Sequence, residues 1–352
     1  MKSVAAAVLL SALASPILAA PGLSLTVSAP SAIEDVDALK VTTTLTNTGT
    51  ETLKLLNDPN SVLTPQWKTR TFDITGQSSG AVPSFKGVKV KWVPTQAAAA
   101  HDYTTLAPGQ TLTLQHDLAG RFNFTSSGPG AYRFSPSNTF TTVSATGELS
   151  SIQAATTAPL PLTVTGKLAP TTLLAPEAPP LGKRATFRSC SASQQTSINT
   201  AVTSAQTYAT NAYNYLAGIS SGTTRYTTWF GPYDATRKST VQTHFNNIRN
   251  SGISSYTYDC SCTDSGTYAY VYPDTFGVVY FCGAFWNAPN TGTDSRAGTI
   301  NHEASHFTRN GGTQDYQYGQ SGCRSLATSN PARAVMNADS HEYFAENNPS
   351  QS

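Results

Sequence analysis

GTINHEASHFTRNGGTQDYQYG, residues 298–319, is the stretch on which the reading of this chain turns. It holds His302, Glu303 and His306 in the spacing H-E-x-x-H. On a helix, residues four apart stand one above the other, so two imidazoles at that spacing can reach a single Zn²⁺, while the glutamate between them faces the water that the metal activates. The pattern predicts a helix over Gly298 to Arg309, ended by Gly311 and Gly312. A catalytic zinc needs a third protein ligand and one open position. No histidine follows at the spacing of the longer H-E-x-x-H-x-x-G-x-x-H motif, since Arg309 and Gly312 stand where its glycine and last histidine would be. Two carboxylates compete for the place, Asp315 and Glu342, and the short glycine-hinged return favours Asp315. The chemistry expected of His302, His306, Asp315 and Glu303 is hydrolysis by zinc-activated water with Glu303 as general base.

Around this motif, residues 185–352 read as a mainly helical α+β domain. Ser191 to Leu216 carries Ile198, Val202, Ala205, Tyr208, Ala212 and Tyr215 at helical spacing, and Asp234 to Ile248 is a second helix candidate. YAYVYP (Tyr268 to Pro273) and GVVYFCG (Gly277 to Gly283) read as a strand pair, giving a small antiparallel sheet whose edge could take an extended substrate. All five cysteines lie here: Cys190, Cys260, Cys262, Cys282 and Cys323. Cys260 and Cys262 share one face of a strand, so each needs a distant partner, and one thiol is left over.

The preceding half has a different texture. Leu23 to about Val164 alternates short apolar strands with Gly, Pro, Asn and Ser, which predicts an all-β, sandwich-like unit. It contains the one N-x-[ST] glycosylation sequon, at Asn123. A Pro- and Ala-rich linker, Leu168 to Pro180, then leads to Lys183 and Arg184, a dibasic pair suited to a processing protease, though two ordinary surface charges would look the same. At the other end, Lys2, an apolar run from Val4 to Leu18 and Ala19-Ala20 form a secretory signal over residues 1–20, too short and too interrupted by Pro16 to be a membrane anchor. The expected order is signal, a pro-segment over 21–184, and an exported enzyme over 185–352. With 12% charged residues and a net charge of +2, no field for nucleic acid is present. The chain is expected to act as a monomer without nucleic-acid or membrane partners.

Gly312-Thr313-Gln314-Asp315-Tyr316-Gln317-Tyr318-Gly319 resembles the GTxDxxYG pattern of the aspzincins, the deuterolysin-type zinc proteases. Thr227 to Gly231, Gly283 to Trp286, His306 to Gly312 and Met336 to Asp339 through Pro349 are similar to the fungal peptidyl-Lys metalloendopeptidases within that family. The resemblance covers essentially all of residues 185–352. It implies a zincin-like fold, one Zn²⁺ on His302, His306 and Asp315, catalytic Glu303, and Tyr318 near the reacting carbonyl. It also implies bridges Cys190–Cys260 and Cys262–Cys282, which leaves Cys323 as a buried free thiol. Tyr318 lies three residues beyond Asp315, so on a helical turn its hydroxyl would share the ligand's face; a core tyrosine is the plainer alternative.

Asp339 and Glu342 form D-x-x-E, either a helix capping box or, as the resemblance implies, an acidic subsite for a lysine on the carboxyl side of the scissile bond. Lysine placement agrees with the second reading. Lys2, Lys40, Lys54, Lys68, Lys86, Lys89, Lys91, Lys167 and Lys183 precede Ala185, and only Lys238 follows. A broader deuterolysin-like protease and a non-catalytic secreted zinc protein are the competing functions, and Glu303 between the histidines argues against the latter. Leu23 to Arg184 contains no cysteine, so the pro-segment has no cysteine switch; it could inhibit sterically or assist folding.

Overall fold

The computed structural model describes residues 22–172 and 174–352, and the signal segment expected over 1–20 lies outside the described residues. In the N-terminal half, alternation does what it predicts locally: along Lys40–Asn47 the residues Val41, Thr43, Leu45 and Asn47 are buried while the intervening ones are partly open. This strand sits between Leu23–Ser28 and Thr111–Asp117, both antiparallel to it. Gly130–Pro136 is likewise central, between Phe72–Gly76 and Leu160–Lys167. Among the described residues, the half holds three four-stranded sheets and a two-stranded pair. One apolar cluster gathers Val41, Phe72, Ile74, Phe124, Phe134 and Val164, and a second gathers Leu25, Leu45, Leu55, Val62, Leu106 and Phe140.

The C-terminal half is organised by a long helix, Ala192–Gly218. Ser191 caps it reciprocally with Gln194: the serine hydroxyl accepts from the Gln194 amide, and the Gln194 side chain accepts from the Ser191 amide. Its stripe of Ile198, Ala201, Val202, Ala205, Ala209, Ala212 and Leu216 is fully covered or nearly so. Against it pack Ala235–Asn250, the motif-bearing helix Arg296–His306 and Ala338–Glu346, and the shared core includes Phe245, Ile300, Ala304 and Phe344. No helix among the described residues is long and apolar enough to cross a membrane.

The sheet of this half differs from the small antiparallel one expected. It is mixed and five-stranded, in the order Thr186–Arg188, Thr257–Asp259, Val278–Phe281, Thr267–Val271, Lys89–Trp92. The first two pairings are parallel and the last two antiparallel. The reason is a crossover: the helices between Ala192 and Asn250 return the chain so that Thr257–Asp259 runs alongside Thr186–Arg188 in the same direction. The fifth strand comes from the other half of the chain. Disulfides tie the sheet down, Cys190 to Cys260 with Cα atoms 5.0 Å apart and Cys262 to Cys282 at 4.7 Å, and Cys323 is buried and free.

Helix Ala338–Glu346 is held by a pair of imidazoles. His341 Nδ1 donates to the Asn337 carbonyl at 2.9 Å, which leaves its Nε2 to accept from His244 Nδ1 at 3.0 Å. Burial lowers His244 to about 4 and His341 to about 3, so both are neutral near pH 7. The unfolded chain therefore binds protons that the fold does not. The stability this arrangement contributes is present above about pH 6.5 and is lost as the pH falls toward 4. Urea unfolding at pH 7 and pH 4.5 should show a loss for His341→Gln that is roughly 2 kcal/mol smaller than for the unsubstituted chain.

Candidate active site

Ser295 starts the motif helix by accepting from the Gly298 amide at 2.9 Å, and the helix ends at His306, three residues short of the predicted Arg309. It ends there because Phe307 turns extended and its carbonyl then collects the amides of Asn310, Gly311 and Gly312. Gly312 takes φ +60°, a left-handed conformation that suits glycine. Thr313 can thus return beside Ser305, its amide donating to the Ser305 carbonyl at 3.2 Å, and the next residues bring Asp315 under the histidines.

His302, His306 and Asp315 converge, offering one ligand atom each within 4.8 Å of one another. Asp315 Oδ1 is 3.0 Å from His306 Nε2 and 3.3 Å from His302 Nε2. All three atoms are buried and lack an aligned hydrogen-bond partner. Ligand atoms around a tetrahedral zinc with bonds of 2.0–2.1 Å lie about 3.3 Å apart, so this donor set fits Zn²⁺. Of the remaining ring nitrogens, that of His306 is hydrogen-bonded and that of His302 faces two carboxylates. His306 Nδ1 donates to the Thr313 carbonyl at 3.0 Å, which leaves Nε2 free to ligate. His302 Nδ1 lies 2.8 Å from Asp339 Oδ1 and 3.2 Å from Glu342 Oε2.

Asp339 and Glu342 do not cap their own helix: Asn337 is its N-cap, with no side-chain cap bond. Asp339 Oδ2 accepts from the Gly319 amide at 2.8 Å, across to the next turn of chain. With Asp294, a residue that sequence reasoning missed, they form an acidic pocket. Lys91 Nζ sits in it, 3.1 Å from Asp294 Oδ1, 3.1 Å from Asp339 Oδ1 and 2.9 Å from Glu342 Oε2. Tyr343, also missed, donates its hydroxyl to Asp294 Oδ1 at 2.6 Å and carries the ammonium 5.2 Å from its ring centre. Burial alone would depress the lysine, but Asp339, Glu342, Tyr343 and Asp294 hold its pKa well above the usual value. Asp294 precedes the motif by eight residues in an ordinary polar loop, and nothing in its sequence context distinguishes it.

Glu303 is fully buried, and burial pushes its carboxyl well above the usual range, with His302 opposing. Its Oε1 accepts from the Lys91 amide at 3.1 Å. Tyr318 does not share a helical turn with Asp315: the chain between them is not helical, and Tyr318 is the N-cap of helix Gly319–Ser329. It still reaches the site, donating its hydroxyl to the Val90 carbonyl at 2.8 Å while accepting from Asn60 Nδ2 at 2.6 Å. Lys183 and Arg184 are exposed in a stretch without strand or helix, and Asn123 is half-buried in the short strand Phe122–Asn123.

An imidazole pair with one carboxylate, a buried glutamate beside it and a hydroxyl aimed at a peptide carbonyl define the class of zinc-dependent peptide hydrolases. Residues 215–346 match the family model described as lysine-specific metallo-endopeptidase. A peptidyl-Lys metalloendopeptidase from Grifola frondosa is 51% identical, over 98% of this chain and 98% of its own length. One of the same name from Pleurotus ostreatus is 64% identical over 165 residues, 47% of this chain and 98% of its own. An extracellular protease from Aeromonas hydrophila is 37% identical over 90% of each chain. The chain belongs to the aspzincin family and is a zinc metalloendopeptidase.

The contact between His302 and Asp339 makes a prediction. Asp339→Asn removes the charge that orients the ring and should weaken zinc uptake by about 10–100-fold, read as metal content after dialysis against a chelator buffer. Unchanged zinc affinity would mean that the imidazole is oriented by other contacts.

Proposed function

We propose that the chain is the secreted precursor of an endopeptidase that cuts on the amino side of lysine. In this reading Zn²⁺ is held by His302, His306 and Asp315, Glu303 is the general base, and Tyr318 serves the carbonyl oxygen. The observation that carries it is the buried pocket of Asp294, Asp339 and Glu342 beside Glu303, in which a lysine ammonium meets three carboxylates. Such a pocket selects a long side chain ending in a positive charge, and it penalises a neutral one by leaving buried carboxylates unpaired.

Bound zinc supplies Lewis acidity, polarising the scissile carbonyl and making water acidic enough to lose a proton near neutral pH. The protein's own groups do the rest. Glu303 takes that proton and delivers it to the leaving nitrogen; its distance of 3.1 Å from a lysine amide is that of a proton donor and acceptor in contact. The Tyr318 hydroxyl stabilises negative charge as it grows on the carbonyl oxygen. Strand Thr267–Val271 aligns the peptide by antiparallel pairing.

The precursor reading is supported by the exposed Lys183-Arg184 pair in its linker and by the Pleurotus relative, whose full length is close to what remains here after Arg184. The N-terminal half is then a β-rich, sandwich-like pro-segment, with Asn123 as its glycosylation site, and a processing protease opens the chain at Arg184. The exported enzyme is a monomer whose first residue is Ala185.

Digestion of a mixed peptide pool by the processed enzyme, followed by mass spectrometry, should give new N-termini that are lysine, with acetyl-lysine spared. A charge-assisted pair of this kind is worth ~1.5–3 kcal/mol, so lysine should be preferred over neutral residues by about 10–150-fold. Equal cutting before Ala, Ser or Arg would reject the specificity. Glu303→Gln should keep zinc and lose proteolysis by several orders of magnitude, and retained activity would reject Glu303 as base.

A further inference from the structure

We infer that the N-terminal half inhibits the catalytic half by presenting Val90–Lys91 to it as a substrate bond, held so that it is not consumed. This rests on the lysine-directed reading above. Strand Lys89–Trp92 occupies the free edge of Thr267–Val271 and runs antiparallel to it, with Tyr270 opposite Val90 and Ala269 opposite Lys91. The groups assigned to the reaction lie around one peptide unit. Tyr318 donates to the carbonyl of Val90, Glu303 accepts from the nitrogen of Lys91, and the Lys91 side chain fills the acidic pocket. Asp315 Oδ2 accepts from the Val90 amide at 3.2 Å, one residue upstream. The contacts of Tyr318, Glu303 and the acidic pocket are those that a peptide cut before lysine would make with groups in these roles.

What separates a plug from a substrate is how the flanking residues are held. Val88, Val90 and Trp92 are buried together with Leu56 and Ala97 in an apolar cluster of the N-terminal half. The Val88 amide donates to the Lys68 carbonyl, and helix Pro94–Ala99 begins immediately after Val93. Further contacts brace the rim: Lys86 pairs with Asp274 at 2.7 Å, Lys89 Nζ donates to Gln314 Oε1, and Thr275 donates its hydroxyl to the Pro176 carbonyl. Hydrolysis would add hydroxide to the Val90 carbonyl carbon and a proton to the Lys91 nitrogen. With both new ends anchored in one folded unit they do not diffuse apart, and re-formation of the bond competes with release. Cutting the linker at Arg184 makes the halves separate molecules, so the plug becomes a dissociable inhibitor.

The test uses the full chain carrying Glu303→Gln, so that nothing is hydrolysed, with a unique protease site placed at residue 184 and opened after purification. The two pieces should stay associated on gel filtration, with or without zinc. Lys91→Ala should weaken that association by about 10–150-fold, the same loss as for a neutral residue in the pocket. A lysine peptide added to the opened chain with Lys91 in place should displace the N-terminal piece, whereas its acetyl-lysine counterpart should not, and this arm requires no variant at position 91. In the chain with Glu303 intact, any cut within residues 89–92 should fall between Val90 and Lys91. Equal association of the Lys91→Ala pieces, displacement by both peptides alike, a cut on the carboxyl side of Lys91, or full peptidase activity before the linker is opened would each overturn the inference. Because association is measured without turnover, it can fail while the processed enzyme still cuts before lysine, and the reverse outcome is equally distinguishable.

Discussion

His302 uses both of its ring nitrogens, and the architecture of the catalytic half follows from that. Nε2 faces the position shared with His306 and Asp315, while Nδ1 meets Asp339. Asp339 is also one wall of the lysine pocket. One carboxylate therefore faces the imidazole proposed to bind the metal and receives a cationic side chain, so metal binding and substrate choice in the proposed reaction would be coupled through a single residue. This demands that helices Arg296–His306 and Ala338–Glu346 approach closely. They do so at Gly298, where a Cβ would stand 2.1 Å from Glu346 Oε1. On the far side of the second helix, the His244–His341 pair fixes its rotation, since a turn of that helix would carry Asp339 and Glu342 away together.

Burying this much charge is tolerable only if it is matched. Asp339, Glu342 and Glu303 are all closed to solvent, and buried carboxylates that ionise without a nearby cation would be strongly destabilising. In the full chain Lys91 supplies a positive charge to the pocket, and Zn²⁺ on the two histidines and Asp315 would supply the rest. On the proposed reading, removal of the N-terminal half would take away the pocket's cover as well as its cation, and water would solvate the carboxylates until a substrate lysine arrived. The same pocket would thus suit both the proposed precursor and the proposed processed enzyme, its contents being exchanged for solvent or substrate.

Much of this was legible from residue spacing. The H-E-x-x-H pattern and the glycine-hinged return to Asp315 are local features, and local features survive folding: four residues on a helix and a left-handed Gly312 suffice to bring these side chains together. The competing carboxylate, Glu342, belongs to the pocket instead. What could not be read are contacts made between distant segments. Asp294 joins the pocket from a loop, Tyr318 reaches the Val90 carbonyl without the helical turn that its spacing suggested, and the fifth strand of the sheet comes from more than a hundred residues upstream. The parallel pairings escaped for a related reason. A strand's neighbours depend on where helices return the chain, and alternation within Thr257–Asp259 carries no record of that.

Lysine placement, which looked like a compositional curiosity, acquires a physical meaning from the backbone. A protease of the proposed specificity must not find its own lysines, and a bond is cut only when its backbone can lie extended along the edge strand. The single lysine after Arg184, Lys238, is in helix Ala235–Asn250, its amide donating to the Asp234 carbonyl at 2.9 Å, so its backbone is committed to the helix. In the N-terminal half, Lys40 and Lys54 lie within paired strands, where neighbouring strands already take the backbone groups that the catalytic edge would need. Among the described lysines, Lys91 alone meets the edge strand and the acidic pocket together. The fold uses the backbones of Lys40, Lys54 and Lys238 elsewhere, and it offers Lys91, whose flanks it holds on both sides.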